Sequence, residues 1–556
     1  MVFEFNFNYV FEKVNFKRLG RCKMRKILYA LIIFISTNLL SQVENVPITN
    51  RVYMFLKRME VKGFIKNFDD VSLPLSRGEV AKFLSEINSQ YEKLSRNERE
   101  TLKLLMIEFE NELKKENFFE TKIFSDFLKR EFLFSDRAKY LYSYRDTSIS
   151  FFVDALVNFD LRFSRASNVL LAEIGGRLRG TYDGKIGFYL QSTDGQIFGD
   201  KKLALEDLKL KQNYKLNEPG SVNFDFTEAY IKYQTKHISL QIGREAITQG
   251  YGFSGKLFIS ETAPVFDFFK ISFKYKGVSY DFVHSWLLGT KFTIPDTTAG
   301  NIIVINSKYL ATHRLNFNFW DKFNFGVWEG IIYARRFPEL AYLNPFNFYK
   351  SAEHSLQDRD NSLLGFNFKS NLFKNFQIYG TILIDDINFP LIGTGWYGNQ
   401  LGYQVGLYFA GLKDTDIILE YTRIEPYVYS HRINENNYTH NGFLLGHWIG
   451  PNSDDFFIKI NYLLSKRTVL NFFVEKIRHG KNKIVGTDTL NVGGDYNLGH
   501  RVNDSNTVRF LSGDTEKRYK FGGSLFIEFA KDFFAIFGVE KYERNFLTYF
   551  KIKFDY

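Results

Sequence analysis

Aromatic, amide and imidazole side chains are concentrated between residues 396 and 440, and they have the chemistry that sugar recognition requires. Aromatic faces stack on sugar rings, and planar polar groups exchange hydrogen bonds with hydroxyls. The densest group is Trp396-Tyr397-Gly398-Asn399-Gln400. The candidate glycan-binding residues are Trp396, Tyr397, Asn399, Tyr427, Tyr429, His431, Tyr438 and His440. The alternative is an interfacial girdle, which uses the same aromatic residue types at a membrane boundary.

Catalytic and metal-binding patterns are not visible in the sequence. The nine histidines are scattered, and His440 and His447 are a weak metal pair because two glycines separate them. We find no serine elbow, zinc-protease helix or phosphate loop. We therefore expect no enzyme activity, no metal and no cofactor. An enzyme would instead need a His/Ser/acid group, for which His447 and Ser453 are the nearest candidates.

Eight charged residues fall on segments that alternate as strands, and charges there need partners. They are Arg244, Glu245, Arg314, Glu329, Asp385, Asp386, Glu420 and Arg423. A cation that faced lipid at mid-membrane would cost about 2–4 kcal/mol, so we expect all eight to face inward as a lattice of paired charges in a lumen. The alternative is a pore-lining ladder that selects solutes.

Alternation of apolar and polar residues with a period of two runs from about residue 147 to the end of the chain. In the last segment, Phe550, Ile552 and Phe554 alternate with the polar positions Lys551 and Lys553. Strands of this kind, without domain linkers, predict an all-β transmembrane barrel of about 18 antiparallel strands, with 16 as the second choice. The count depends on faint strands near 250–265 and 340–355. Long polar segments, 290–306 among them, are expected to be loops.

The first 140 residues have a different pattern. Residues 1–41 contain a basic stretch and an apolar run of about 14 residues, which predict a leader and signal peptide. Residues 42–140 are expected to form a small periplasmic α-helical domain, because capping boxes at Ser76–Glu79 and Ser95–Glu98 precede amphipathic runs. Residues 141–556 would then form the barrel.

Composition agrees with this class and excludes others. Aromatic residues make up 18% of the chain, while mean hydropathy is only −0.23, which argues against a multi-helix membrane protein. The net charge is +11, and without the basic leader it is 66 − 60 = +6 on residues 42–556; this mild excess is spread along the chain, so nucleic-acid binding is not expected. The one cysteine, Cys22, lies in the leader, so no disulfide framework is expected.

Three stretches in order resemble the Wzi-type capsule-assembly family of outer-membrane proteins. They are Gly243–Asp267, Tyr342–Gly365 and Glu420–Asp454, and the resemblance covers roughly residues 45–556. It implies an eighteen-stranded barrel with a helical bundle on the periplasmic side, and a lectin that holds capsular polysaccharide. The helices also faintly resemble S-layer-homology modules, which implies a peptidoglycan contact; the alternative, which we favour, is a plain helical plug or brace.

The sequence therefore predicts a bacterial outer-membrane protein that binds, anchors or helps to assemble capsular or other surface polysaccharide. Its expected partners are this polymer, outer-membrane lipid and peptidoglycan. The alternative function is a porin-like solute channel, which would need an open lumen.

Overall fold

A computed structural model of the protein describes residues 42–113, 120–122, 135–542 and 545–555. The predicted leader and signal peptide, residues 1–41, lie outside these ranges. The boundary predicted at residue 140 between a helical domain and a barrel domain stays a prediction. Within the described ranges, the last helix of the N-terminal part ends at Leu113, and the first long strand begins at Ile149.

Eighteen antiparallel strands close into a barrel, as predicted. The last strand pairs with the first through Phe550 opposite Leu161 and Phe554 opposite Val157. The strands are β1 (Ile149–Phe163), β2 (Asn168–Tyr182), β3 (Ile186–Gly199), β4 (Asn223–Gln234), β5 (Ile238–Glu245), β6 (Phe266–Tyr275), β7 (Val278–Asp296), β8 (Gly300–Phe319), β9 (Phe323–Ala334), β10 (Asn361–Ser370), β11 (Phe376–Asp386), β12 (Gln400–Phe409), β13 (Thr415–Ile424), β14 (Ser453–Ser465), β15 (Thr468–Lys481), β16 (Asp514–Ala530), β17 (Phe533–Tyr542) and β18 (Asn545–Asp555).

The two ends of the barrel differ in the length of their connections. At one end all eight connections between described strands are turns of two to five residues, such as 276–277 and 531–532. Short turns are typical of the periplasmic end. The other, extracellular end carries the connections 200–222, 246–265, 335–360, 387–399, 425–452 and 482–513. The predicted loop at 290–306 is wrong, because β7 and β8 continue as a long hairpin with a turn at 297–299.

Three helices fill the periplasmic mouth: α1 (Val52–Val61), α2 (Arg77–Asn88) and α3 (Arg96–Glu108), followed by a single turn, Glu110–Leu113. Both predicted capping boxes are present, at Ser76–Glu79 and Ser95–Glu98. Asn97 of α3 donates to the carbonyl of Leu463 at 3.0 Å, so the helices are bonded to the barrel wall. None of the helices in the described ranges has the length and apolarity that a bilayer crossing requires.

Two extracellular connections fold into the lumen. Residues 246–265, here called the inner loop, bring Phe258 against Trp328 of β9, with the rings stacked at 4.6 Å. Residues 425–452, here called the tyrosine loop, pack over the inner loop in the same apolar cluster. The inner loop meets the periplasmic segment in a two-stranded sheet, with Ser72 opposite Gln249 and Leu73 opposite Thr248. The faint strand predicted at 250–265 is therefore part of a lumenal plug.

A third connection, residues 335–360, lies on the outside of the barrel and is here called the strap. Its two helices, Leu340–Leu343 and Tyr349–Ser355, replace the faint strand predicted at 340–355. Tyr342 and Tyr349 of the strap pack on the outward side chains of β7, β8 and β9. Phe337 and Phe346 remain about 90% exposed on its outer side, at 91% and 88%.

Candidate functional site

Three extracellular loops meet above the lumen and form the candidate site. Residues 387–399 and 482–513 pair along their backbones: the Tyr397 N–H donates to the Asn506 carbonyl at 3.1 Å, and the Val508 N–H donates to the Gly395 carbonyl at 2.8 Å. The tyrosine loop joins them because the Tyr427 N–H donates to the Gly493 carbonyl at 3.0 Å. These bonds fix the relative positions of the three loops.

Four rings from the three loops pack together, and the three partly exposed ones, Trp396, Tyr397 and His500, are here called the aromatic patch. The ring of Tyr397 stacks on His500 with centroids 3.5 Å apart and an interplanar angle of 11°. Trp396 lies 5.3 Å from Tyr397. Tyr427 meets Tyr397 and His500 edge-on, at 5.8 and 5.5 Å. Trp396, Tyr397 and His500 are partly exposed, while Tyr427 is buried beneath them.

The close approach of two loops holds Tyr427 below the patch. Its backbone has a φ of +67°, which side chains rarely adopt, and its hydroxyl donates to the Asn491 carbonyl at 3.1 Å. Gly493 lies so near that a Cβ there would come within 2.6 Å of the Tyr427 ring. A glycine is required at this contact, because any side chain would push the two loops apart.

Tyr429 and Tyr438 lie deeper than the patch and are fully buried. Their rings stack at 5.5 Å, and their hydroxyls donate to inner-loop carbonyls, Tyr429 to Leu257 at 2.8 Å and Tyr438 to Phe258 at 2.9 Å. They hold the plug and present no surface to a ligand outside, which differs from the role expected for them.

The other predicted glycan residues have internal partners. The Asn399 Oδ1 accepts a hydrogen bond from the Asn388 N–H at 2.7 Å, and its Nδ2 donates to the Leu391 carbonyl at 2.8 Å. The side-chain amide is therefore bonded within its own loop. His440 is buried and its Nδ1 accepts the Leu288 N–H at 3.0 Å. His431 is partly exposed at the edge of the tyrosine loop. Burial lowers the pKa of His431 and of His440 to about 4.

Charged and apolar side chains are also exposed on the extracellular loops. Arg501 contacts Asp504 at 2.8 Å and Asp488 at 3.2 Å, and Arg432 contacts Asp358 at 3.2 Å. These guanidinium groups are partly exposed, so they retain N–H groups that can face a ligand. Phe389 is also exposed on the loop that carries Trp396.

Four of the eight predicted lattice residues are turned toward the lumen. Glu420 accepts the N–H groups of Phe253 and Ser254, both at 2.9 Å, and thereby holds the inner loop. Glu245 accepts from Asn45 at 2.7 Å, and Arg314 contacts Asp69 at 3.4 Å. Asp385 accepts the backbone N–H of Tyr429 at 2.5 Å. These charges bind backbone and the periplasmic segment rather than a solute path.

The other four lattice residues do not face inward, so the prediction is wrong for them. Arg244 lies on the outer wall and pairs with Asp267 at 2.8 Å, with both side chains about half exposed. Arg423 is also outward and pairs with Glu425 at 2.6 Å. Asp386 is exposed where β11 ends. Glu329 faces outward but is covered by the strap, whose Tyr349 and Lys350 N–H groups it accepts at 2.9 Å.

A buried Ser–His–acid contact exists, but it differs from a catalytic triad. Ser254 Oγ donates to Glu420 at 2.6 Å and lies 3.3 Å from His447 Nε2. In a triad the histidine lies between serine and acid, whereas here the serine lies between them. Ser453 donates only to loop carbonyls. Within the described ranges, no group of three or more His, Cys, Asp or Glu residues could hold a metal ion.

His500 is the member of the site that the sequence did not indicate. It lies 103 positions after Tyr397 in the numbering and belongs to no motif. Only the pairing between loops 387–399 and 482–513 brings the two rings together, so no local pattern could have identified His500.

Comparisons with known proteins agree with the barrel fold. A family model described as capsule assembly protein Wzi matches residues 112–511. Wzi of Escherichia coli, titled an outer-membrane protein involved in group 1 capsule assembly and a carbohydrate-binding β-barrel, has 12% identity and a TM-score of 0.56; the match covers 92% of this chain and 99% of Wzi.

Other matches are weaker. Pseudomonas aeruginosa OpdK with vanillate has 10% identity and a TM-score of 0.42, with 73% of this chain and 98% of OpdK covered. A comparison with curated protein sequences gave no match. The family match spans well over half of the chain and agrees with the eighteen strands and the helices in the periplasmic mouth. The chain is an outer-membrane β-barrel and belongs to the Wzi family of capsule assembly proteins.

Proposed function

We propose that this barrel binds capsular or another surface polysaccharide with its extracellular loops, and so retains the polymer at the cell surface without covalent chemistry. The observation that carries the proposal is the aromatic patch of Trp396, Tyr397 and His500 at the extracellular end. Family membership supports the same function, since the structurally similar Escherichia coli protein is titled a carbohydrate-binding barrel.

The patch suits a sugar because its rings are ordered before a ligand arrives. Backbone pairing at Trp396–Thr507 and the stacking of Tyr397 on His500 fix the ring planes. A preorganised surface loses little conformational entropy on binding. The guanidinium group of Arg501, the residue that follows His500, is partly exposed and can donate to hydroxyl or carboxylate groups of a polymer.

Weak contacts suffice if the ligand is a long polymer. Each barrel would engage a few sugar units, and many barrels would hold one chain. Linked binding events raise the overall affinity by factors of about 10²–10⁴ without new contacts. This avidity permits single units to exchange while the polymer stays at the surface.

The alternatives are less well supported. A porin-like channel needs an open lumen, whereas the inner loop, the tyrosine loop and the helices occupy the lumen beside β6 to β14 in the described ranges. An enzyme needs an accessible triad, whereas His447 is fully buried. A peptidoglycan contact through α1–α3 stays a prediction.

The test is the amount of surface polysaccharide in a deletion strain, divided into cell-bound and released fractions. We expect the bound fraction to fall and the released fraction to rise at constant total, and the wild-type chain to restore both. A W396A/Y397A/H500A chain, present in the outer membrane at normal level, should fail to restore the bound fraction. Unchanged fractions in the deletion strain would refute the proposal.

A further inference from the structure

The outward wall of β15–β18 and β1 has a sharp upper boundary between apolar and basic side chains. On β16 the outward positions from Phe521 to Phe529 are apolar or glycine. These eight residue steps measure about 27 Å along a strand at ~3.4 Å per residue. With a strand tilt of ~40°, the band is about 20 Å tall, close to the apolar band of such barrels. The level just above Phe521 is therefore the headgroup region of the outer leaflet.

Four cations lie at this level and are here called the basic patch: Arg165, Lys476, Lys517 and Lys541. Strand register puts them side by side on one wall. Lys476 is opposite Tyr519, Lys541 lies between Phe521 and Phe546, and Lys517 is opposite Arg478. Arg165 is in the adjoining turn, over Phe546.

Among the described residues, the basic patch has aromatic neighbours and no carboxylate partners. Lys541 lies 5.4 Å from the Phe521 ring and 5.2 Å from the Phe546 ring, and Arg165 lies 5.5 Å from Phe546. Lys476 lies 5.9 Å from Tyr519. Arg478 is neutralised by Asp454, with one hydrogen bond of 2.9 Å. None of the four patch cations forms an ion pair with another described residue.

The opposite wall gives a contrast. There the outward cation at the extracellular end of β5, Arg244, is paired with Asp267. The four cations of the basic patch differ from Arg244, because none of them has an ion-pair partner among the described residues. Clusters of Lys and Arg beside a membrane attract anionic headgroups, and each contributes about a fivefold gain in association. Aromatic rings beneath the ammonium groups stabilise them further at the interface.

We propose that the basic patch binds the phosphate groups of an anionic lipid in the outer leaflet, with its acyl chains along the apolar band of β16–β18. The phosphate oxygens would accept from Lys476, Lys517 and Lys541, and Arg165 would contact a second phosphate or the glycerol or sugar backbone. This interaction is separate from the extracellular loops, and it does not depend on polysaccharide binding.

The experiment uses the full-length protein in zwitterionic detergent micelles, mixed with phosphatidic acid, lipid A or phosphatidylcholine. Native mass spectrometry counts the lipids retained. We expect the wild type to retain phosphatidic acid and lipid A over phosphatidylcholine, and K476Q/K517Q/K541Q to lose this retention at least tenfold.

K276Q is the matched control, because Lys276 lies 5.3 Å over Tyr275 at a periplasmic turn. It should retain lipid as the wild type does, and heat-dependent gel mobility should show that both variants are folded. Equal retention of the phosphatidylcholine probe, or full retention by the triple variant, would overturn the proposal. If the triple variant keeps its lipid but loses soluble capsular polymer, the cations serve the polysaccharide and the lipid proposal is wrong.

Discussion

The imidazole of His500 stacks on the phenol ring of Tyr397, with 3.5 Å between their centroids, although the two residues belong to different loops. The stack joins loop 387–399 to loop 482–513 at the surface, and Tyr427 supports both rings from below. The order of this surface therefore depends on contacts between loops.

Removal of the exposed rings should weaken polysaccharide binding. An aromatic contact contributes about 1 kcal/mol, so Y397A should lower the affinity for purified surface polymer by about fivefold, and W396A by a similar factor. Y182A is the control, because Tyr182 is an exposed aromatic at the periplasmic end of β2. Surface plasmon resonance with immobilised polymer measures the effect. Wild-type affinity in both patch variants would contradict a binding role for these rings.

Gly493→Ala should disturb the same surface from below. The backbone has a φ of +69°, and a Cβ would lie 2.6 Å from the Tyr427 ring and its backbone nitrogen. We expect polymer binding to fall and loop 482–513 to become sensitive to protease. Gly486→Ala is the matched control in the same loop, since its φ is +63° but nothing lies within 4 Å. If both variants behave alike, backbone strain rather than the Tyr427 contact is responsible.

The two buried tyrosines should keep the plug in place. Y429F/Y438F leaves the carbonyls of Leu257 and Phe258 without these donors, at a cost of about 1–3 kcal/mol for each unsatisfied group. In planar bilayers we expect little conductance from the wild type and intermittent openings from the double variant. Y462F, on the lipid-facing wall, should match the wild type. Steady, porin-like conductance of the wild type would show that the plug does not close the lumen.

Acidification should loosen the tyrosine loop. Burial lowers the pKa of His431 and His440 to about 4 and that of His447 to about 3, below the value of about 6.5 for an unfolded histidine. The unfolded loop then binds more protons than the folded loop, so its stability is complete above pH ~6.5 and falls as the pH decreases toward 4.

Hydrogen exchange of residues 425–452, corrected for intrinsic rates, should show faster exchange at pH 5 than at pH 7.5. A triple variant, H431Q/H440Q/H447Q, should lose most of this pH dependence. A wild-type loop that is equally protected at both pH values would contradict the prediction.

Lys369 of β10 should be essential for the helices to stay in the periplasmic mouth. Its buried Nζ contacts Glu60 of α1 and Asp70, both at 2.6 Å. K369M removes a positive charge that balances these two carboxylates. Removal of one member of a buried ion pair costs about 3–5 kcal/mol. We expect the midpoint of urea unfolding to fall. K322M, at an exposed periplasmic turn, is the control, and an equal midpoint in both variants would contradict the role.

Local patterns predicted the elements well. The alternation in β18 and the capping boxes at Ser76 and Ser95 depend only on neighbours in sequence, and the structure has all of them. Whether a strand side chain faces the lumen or the outside of the barrel could be predicted only where lipid is the sole outer neighbour. Glu329 can lie on the outer wall because the strap shields its carboxylate from lipid. The alternation of residues along a strand does not indicate where a loop packs on the outside of the barrel.

The site was less predictable for the same reason. Composition alone indicates Trp396 and Tyr397 as candidates. The burial of Tyr429 and Tyr438 follows from the inner loop folding beneath them, some 170 residues earlier in the chain. His500 could be identified as a member of the site only with knowledge of which extracellular loops pair.

The small sheet between Ser72–Leu73 and Thr248–Gln249 joins a segment from the periplasmic side to a loop from the extracellular side. The Gly250 N–H extends it by donating to the Val71 carbonyl at 3.0 Å. Tension applied by a polymer outside the cell would therefore pass through the tyrosine loop and inner loop into the helices, and not only into the membrane-embedded wall. The backbone hydrogen bonds of this sheet would carry part of that load between the two ends of the protein.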